Sequence, residues 1–244
     1  MRGCAVHRAL EAEVAAARRR LGVAPRVLDV GGGSGVWAVP LARSGCLVTV
    51  VEPSPNALAT LHRRAADAGV QQLVSAVQGD ADSLADAVAP ASADLVLGHG
   101  VLEVVEDPVA AVQALADATA PGGAVSVLVA NRYAAVLVRA LAGRLAEARQ
   151  VLEDPDGRLS AADPVLHRFD TPGLVALLAA SGLDVELVQG DGVVADLIPG
   201  AVLEGQPGAG DQLAELELSA AGRAPLRDIA TRLHALARRP VLTR

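Results

Sequence analysis

A doubly wound α/β sheet is the fold class this sequence predicts, and three observations predict it. Five short apolar runs alternate with stretches of helical composition between residues 26 and 130. A glycine-rich turn joins the first run to the first helical stretch, and acidic residues stand at the ends of successive runs. Strands separated by helices of this length pair in parallel through right-handed crossovers and bind ligands at their carboxyl ends. The 244 residues suffice for a single domain, 1–244, that carries an insertion.

Each element follows in order. Residues 1–22 hold a leading helix, from about Cys4 to Arg20, which Gly22 stops ahead of Pro25. Arg26–Val30 is the first strand and Val36–Arg43 the first helix after the glycine turn. Leu47–Val51, Leu73–Val77, Asp94–Gly98 and Ala124–Ala130 are the next strands, with helices at Pro55–Ala68, Leu84–Val88 and Pro108–Thr119 between them. This stretch, 26–130, is the predicted ligand-binding core. Beyond it the composition predicts one helix from Asn131 to about Gln150 and then a turn-rich stretch, so residues 131–170 read as an insertion over the active-site mouth. Residues 171–244 complete the sheet: a helix from Thr171, a strand at Leu183–Val188, a Gly/Pro-rich loop at 200–210 and a helix at Asp211–Ala221. Arg232–Arg238 is ambiguous, because Ala and Leu favour helix locally.

Composition narrows the function classes. The net charge of −7 argues against broad, non-specific nucleic-acid affinity, which needs a basic field, while leaving room for a local basic groove. All 21 basic residues are arginine, so arginine abundance by itself says little about phosphate recognition. Cys4 and Cys46 show neither metal-ligand nor disulfide spacing, and no metal site is expected. Without a signal peptide or a long apolar run, the expectation is a soluble cytoplasmic protein with no membrane partner.

The glycine turn is Asp29-Val30-Gly31-Gly32-Gly33-Ser34-Gly35. Glycines there let the backbone approach a nucleoside closely at the positive end of the following helix. Gly33-Ser34-Gly35-Val36-Trp37-Ala38 also satisfies a dinucleotide fingerprint, so the turn alone does not choose a cofactor. Asp29 chooses: beside a pyrophosphate its charge repels, and beside the ammonium of a methionine it attracts. S-adenosyl-L-methionine is therefore the expected cofactor. Glu52 stands where it can accept both ribose hydroxyls, with Pro53 next to it. Asp80 can take the adenine amino group and Ala81 offers an amide to the ring, although an isolated Asp in that position is more often a helix cap.

From RVLDVGGGSG through VVEP and QGDA to LADATAPGGAVSVLV, residues 26–130 resemble the class I S-adenosylmethionine-dependent methyltransferases. That resemblance implies a Rossmann-like, seven-stranded, mostly parallel sheet with helices on both faces, in which Arg232–Arg238 is the seventh strand. His99-Gly100-Val101-Leu102-Glu103-Val104-Val105-Glu106-Asp107-Pro108 is similar to a segment of the tRNA 5-carboxymethoxyuridine methyltransferases, which esterify a wobble-uridine carboxylate. Asn131, the pattern Leu213–Leu218, and His234 with Ala237–Pro240 extend the likeness. By resemblance, His99 contacts the cofactor and Asp82 the adenine. The chain departs from that family at Val104, where the family has Trp, in an insertion poorer in lysine and aromatics, and at Val6, where the family has a cofactor-contacting arginine that Arg2 or Arg8 would have to replace.

Methyl transfer from a sulfonium is an in-line displacement, so alignment dominates and an anionic acceptor needs no general base. His99 is a candidate base for a hydroxyl acceptor. Asn131, Arg132 and Arg139 are candidate substrate contacts. Arg144, Arg149 and Arg168 lie on the same insertion, where guanidinium forks suit carboxylates or phosphates. The first reading for the methyl acceptor is thus the carboxylate of a modified wobble uridine in tRNA, the alternative is a small molecule methylated on O or N, and a nicotinamide-binding or non-catalytic nucleotide-binding module is the remaining reading.

Overall fold

A computed structural model describes residues 4–198 and 200–241. Helix α1 (Ala5–Leu21) leads into β1 (Arg26–Val30), α2 (Ala38–Arg43), β2 (Leu47–Glu52), α3 (Pro55–Asp67), β3 (Val74–Gln78), α4 (Leu84–Ala87), β4 (Ala93–His99), α5 (Pro108–Ala118) and β5 (Thr119–Ala130). There follow α6 (Arg132–Leu141), α7 (Leu145–Glu153), α8 (Thr171–Ala180), β6 (Asp184–Asp191), α9 (Gly200–Gly205), α10 (Ala209–Ala220) and β7 (Arg232–Arg238). The strands form one sheet in the order β3-β2-β1-β4-β5-β7-β6, parallel except that β7 runs antiparallel to both β5 and β6.

Strand periodicity sorts the core into two layers. Leu28, Val30, Val96, Val125, Val127, Leu233 and Ala235 face α5 and α8. Their neighbours Val27, Val48, Val50, Leu95, Leu97, Leu128 and Leu236 face α1, α2 and α3. Helix starts are fixed locally. Ser54, Asp107, Asn131 and Asp170 each accept a backbone amide of the first turn, three of them beside a proline in that turn. Arg238 of β7 forks onto Glu13 of α1 at 2.7 and 2.8 Å and onto Glu186 of β6 at 2.6 and 3.0 Å, clamping the leading helix to the far end of the sheet.

The seventh strand forms where local propensity is helical, because Leu233, Ala235 and Ala237 are buried between β5 and β6 and the sheet context prevails. Two expectations are corrected. The single helix from Asn131 to Gln150 is two, broken at Gly143, whose φ of 74° ends α6. The expected loop at 200–210 instead contains α9 and the start of α10.

Candidate functional site

Between β1 and α2 the backbone turns through Gly31 and Gly33 at φ 66° and 55°, and helix α2 begins only at Ala38, two residues later than its composition suggested. Gly32 has to lack a side chain: a Cβ there would lie 2.6 Å from the Asp29 carboxyl and 2.8 Å from Val50. Glu52, at the end of β2, holds the loop by accepting the Gly33 amide at 3.0 Å and the Ser54 amide at 2.9 Å. Asp80 accepts both the amide and the hydroxyl of Ser83 at 3.0 Å, so it does cap the turn before α4, with one carboxylate oxygen left over.

These pieces converge on a cleft of about 380 Å³ at the carboxyl ends of β1, β2 and β3, within the range of small-ligand sites. Gly31, Glu52, Pro53, Asp80, Ala81 and Asp82 form one wall and Gly100, Val101, Val104, Val105 and Glu106 the other. Sequence reasoning missed that second, apolar wall, which comes from the HGVLEVVED segment. Exposed Val104 supplies an apolar surface there at the position where the resembling family has Trp.

Asp29 lies beneath the loop, 1% exposed, and its Oδ2 has no partner. Burial first, and the Glu52 carboxylate second, push its pKa up to about 7, against a smaller opposing effect of the Ala38 amide. A buried, unpartnered carboxylate oxygen under a cradle of glycine is suited to a cationic donor such as the ammonium of S-adenosylmethionine. Gly33 and Gly35 complete the turn. Glu52 and Asp80 border the cleft; Asp80 keeps one carboxylate oxygen without a partner, while both oxygens of Glu52 already accept backbone amides.

His99 ends β4 outside this cleft. Its ring packs edge-on against Trp37 at 4.8 Å, Trp37 in turn lies 5.0 Å from His7 of α1, and the Nδ1 atom is buried without a partner. Burial, then His234 and Arg232, hold its pKa well below the usual histidine value. Val6 is fully buried in the core beneath α1, Arg8 is exposed, and Arg2 lies outside the described residues.

The insertion meets many of its polar groups within itself, although Arg132 Nε, Arg139 Nε, Glu147 Oε2 and Arg158 Nε are buried without a hydrogen-bond partner. Both amide hydrogens of Asn131 go to the Asp228 and Ala230 carbonyls and its oxygen caps α6, so Asn131 is removed from the substrate contacts. Arg132 reaches the Pro155 carbonyl, and Arg139 binds the Ala135 carbonyl and pairs with Glu147 at 3.7 Å. Arg144 and Arg149 pair with Glu147 and Glu153. Arg168 is buried against Asp163 at 2.7 Å and the Gly157 carbonyl. Burial raises the Asp163 pKa, but Arg168 and the Leu159 and Val165 amides outweigh it and hold it at about 2. The amides of Leu166 and His167 dock the insertion onto the Glu103 carbonyl just after β4. Burial also raises the pKa of the Glu103 carboxyl, whose Oε2 is unpartnered.

Among the described residues no cluster of three metal-ligating side chains occurs, and no helix is long and apolar enough to cross a membrane. A family described as "Methyltransferase domain" matches residues 5–188. A ubiquinone biosynthesis O-methyltransferase of Paracidovorax citrulli is 36% identical over 126 residues, covering 50% of this chain and 52% of that protein. The chain thus spans about half the length of the first curated relatives it matches. An S-adenosylmethionine-dependent methyltransferase from Mesorhizobium loti superposes with a TM-score of 0.61 at 19% identity, covering 97% of this chain and 99% of that one. Burkholderia thailandensis 1,6-didemethyltoxoflavin-N1-methyltransferase, solved with S-adenosylhomocysteine, gives 0.56 at 18% identity over 95% of this chain and 78% of that one. At these identities the two structures speak for the fold.

Proposed function

We propose that this chain, which belongs to the methyltransferase domain family, is an S-adenosylmethionine-dependent methyltransferase whose acceptor is a small molecule methylated on oxygen. One observation carries the reading. A second cavity, of about 360 Å³, opens on the ligand side of the sheet between the first turn of α1 (Cys4, Ala5), the ends of β6 and β7 (Asp191, Arg232) and α10 (Leu213, Ala214). It is the size of a small-molecule site and mixes apolar walls with the Arg232–Asp191 pair, 2.6 Å apart. Relatives named ubiquinone biosynthesis O-methyltransferases favour the same acceptor class. In this reading S-adenosylmethionine binds with its ammonium at Asp29, its ribose at Glu52 and its adenine at Asp80, Ala81 and Asp82. The acceptor oxygen attacks the methyl carbon as the carbon–sulfur bond breaks, and the electron pair stays on sulfur. An ionised oxygen becomes a neutral ether or ester with no proton to remove.

The competing tRNA reading draws on the HGVLEVVEDP segment, and it needs arginines free to meet phosphates. Of the candidates, Arg168 is buried against Asp163 and Arg132 and Arg139 each reach a carbonyl within the insertion, while Arg144 and Arg149 form only exposed pairs with Glu147 and Glu153. The test is transfer from methyl-labelled S-adenosylmethionine to a panel of phenols and carboxylic acids and, in parallel, to undermethylated tRNA. Label in a small molecule, lost in Leu213→Trp while S-adenosylhomocysteine still binds, is the expected result. Label in tRNA alone, unaffected by that substitution, overturns it.

A further inference from the structure

Four polar side chains lie on the α1 face of the sheet, one on each of four adjacent strands. Gln189 of β6 contacts His234 of β7 at 3.0 Å through its amide nitrogen and the ring Nδ1. His234 Nε2 lies 2.8 Å from the hydroxyl of Ser126 on β5, and the same hydroxyl lies 2.8 Å from Nε2 of His99 on β4. Ser126 and His234 are fully buried and Gln189 is 8% exposed. The row therefore runs, in hydrogen bonds, from the sheet's outer strand to the carboxyl end of its central one.

Counting hydrogens gives this row a direction. A neutral imidazole has one N–H and one lone pair, and a hydroxyl placed between two ring nitrogens has a single hydrogen to give. Both rings are neutral here: burial, with His234 and Arg232 adding to it, holds His99 well below the ordinary value, and burial holds His234 at about 4. The Gln189 amide N–H donates to His234 Nδ1, so His234 must donate from Nε2 to Ser126, and Ser126 must donate to His99 Nε2. The remaining hydrogen of His99 then sits on Nδ1, the buried atom without a partner.

We propose that Gln189, His234 and Ser126 are positioning residues that lock His99 in its Nδ1–H form, so that its one ring lone pair is spent on Ser126 and His99 does not serve as a general base. The inference rests on the methyltransferase reading for its chemical meaning and deepens it. A neutral alcohol would find no base in His99.

The tautomer is read directly, without cofactor or acceptor, so failure of this proposal is distinct from failure of the enzymatic reading. In long-range proton–nitrogen correlation spectra of the 15N-labelled protein, with His99→Gln to assign the ring, His99 is expected to show a protonated Nδ1 and a bare Nε2. Ser126→Ala removes the donor to Nε2 and lets His99 revert to the Nε2–H form that free imidazole side chains prefer. Ser126→Thr keeps the hydroxyl and restores the Nδ1–H pattern. A wild-type His99 protonated on Nε2 overturns the proposal even if no variant folds, and so does a tautomer indifferent to Ser126→Ala in a folded protein.

Discussion

The cofactor half of the molecule and its insertion use similar residues to opposite ends. Around β1, β2 and β3, acids stand at strand ends: Asp29 Oδ2 is unpartnered, and Glu52 and Asp80 border the cleft, Asp80 with one oxygen left over and Glu52 with both oxygens accepting backbone amides. In the insertion acids and arginines pair with each other, most tightly in the buried Arg168–Asp163 pair, even where single atoms such as Arg132 Nε and Arg158 Nε stay without a hydrogen bond. What sets Asp29 apart is a buried carboxylate oxygen with no cation beside it, whereas Glu147 Oε2, likewise without a hydrogen bond, lies 3.4 Å from Arg144 and 3.7 Å from Arg139.

The sharpest way to separate the two regions is to break the pair in the insertion. Removing one partner of a buried ion pair costs about 3–5 kcal/mol, so Arg168→Ala should lower stability by that much in denaturant titration while S-adenosylhomocysteine affinity in the folded fraction stays unchanged. The converse substitution, Asp29→Ala, should weaken S-adenosylhomocysteine about 100-fold by calorimetry and leave no Oδ2 to satisfy; undiminished binding would sink the ammonium assignment. Proton linkage sharpens the same point. The raised pKa of Asp29, about 7, means that the ligand's ammonium must draw out the ionised form. Affinity should therefore climb by up to about tenfold per pH unit from pH 5 to 7 and level off above. Stability of the unliganded protein runs the other way, since the contribution of a raised carboxyl is full below pH 3.8 and is lost as pH rises through about 7. The smallest effect belongs to Arg149, whose pair with Glu153 is exposed on both sides. Arg149→Ala should change stability by less than about 0.5 kcal/mol and leave methyl transfer to any acceptor intact, whereas a large loss of transfer to tRNA would restore a phosphate-binding role.

The same contrast explains what could be read from the residues alone. Strand-end acids and a glycine turn are local features, so Asp29, Gly31 to Gly33, Glu52 and Asp80 stand where the sequence places them. Asn131 looked like a site residue because it follows a strand, yet any residue there faces a choice between ligand and helix start, and its contacts decide for the helix. Gly143 sits in a continuous Ala/Leu/Arg composition that hides the break it makes. The Ser126–His234 contact spans 108 positions and joins isolated polar residues in apolar strands, so no spacing rule reveals it. Only the registers of β5, β6 and β7 bring that row together.

The placement of β7 also orders events during synthesis. Strand β6 lies at the rim of the sheet, and its strand partner is β7, which leaves the ribosome later. Until then β5 presents a bare edge and β6 has no place to pair, a state that is open to wrong partners. Strands β1 to β4 meanwhile find all their strand neighbours within β1 to β5. A nascent chain can therefore build the cleft for the methyl donor before the arrival of His234 connects Gln189 to Ser126, and the orientation of His99 is among the last things its folding settles.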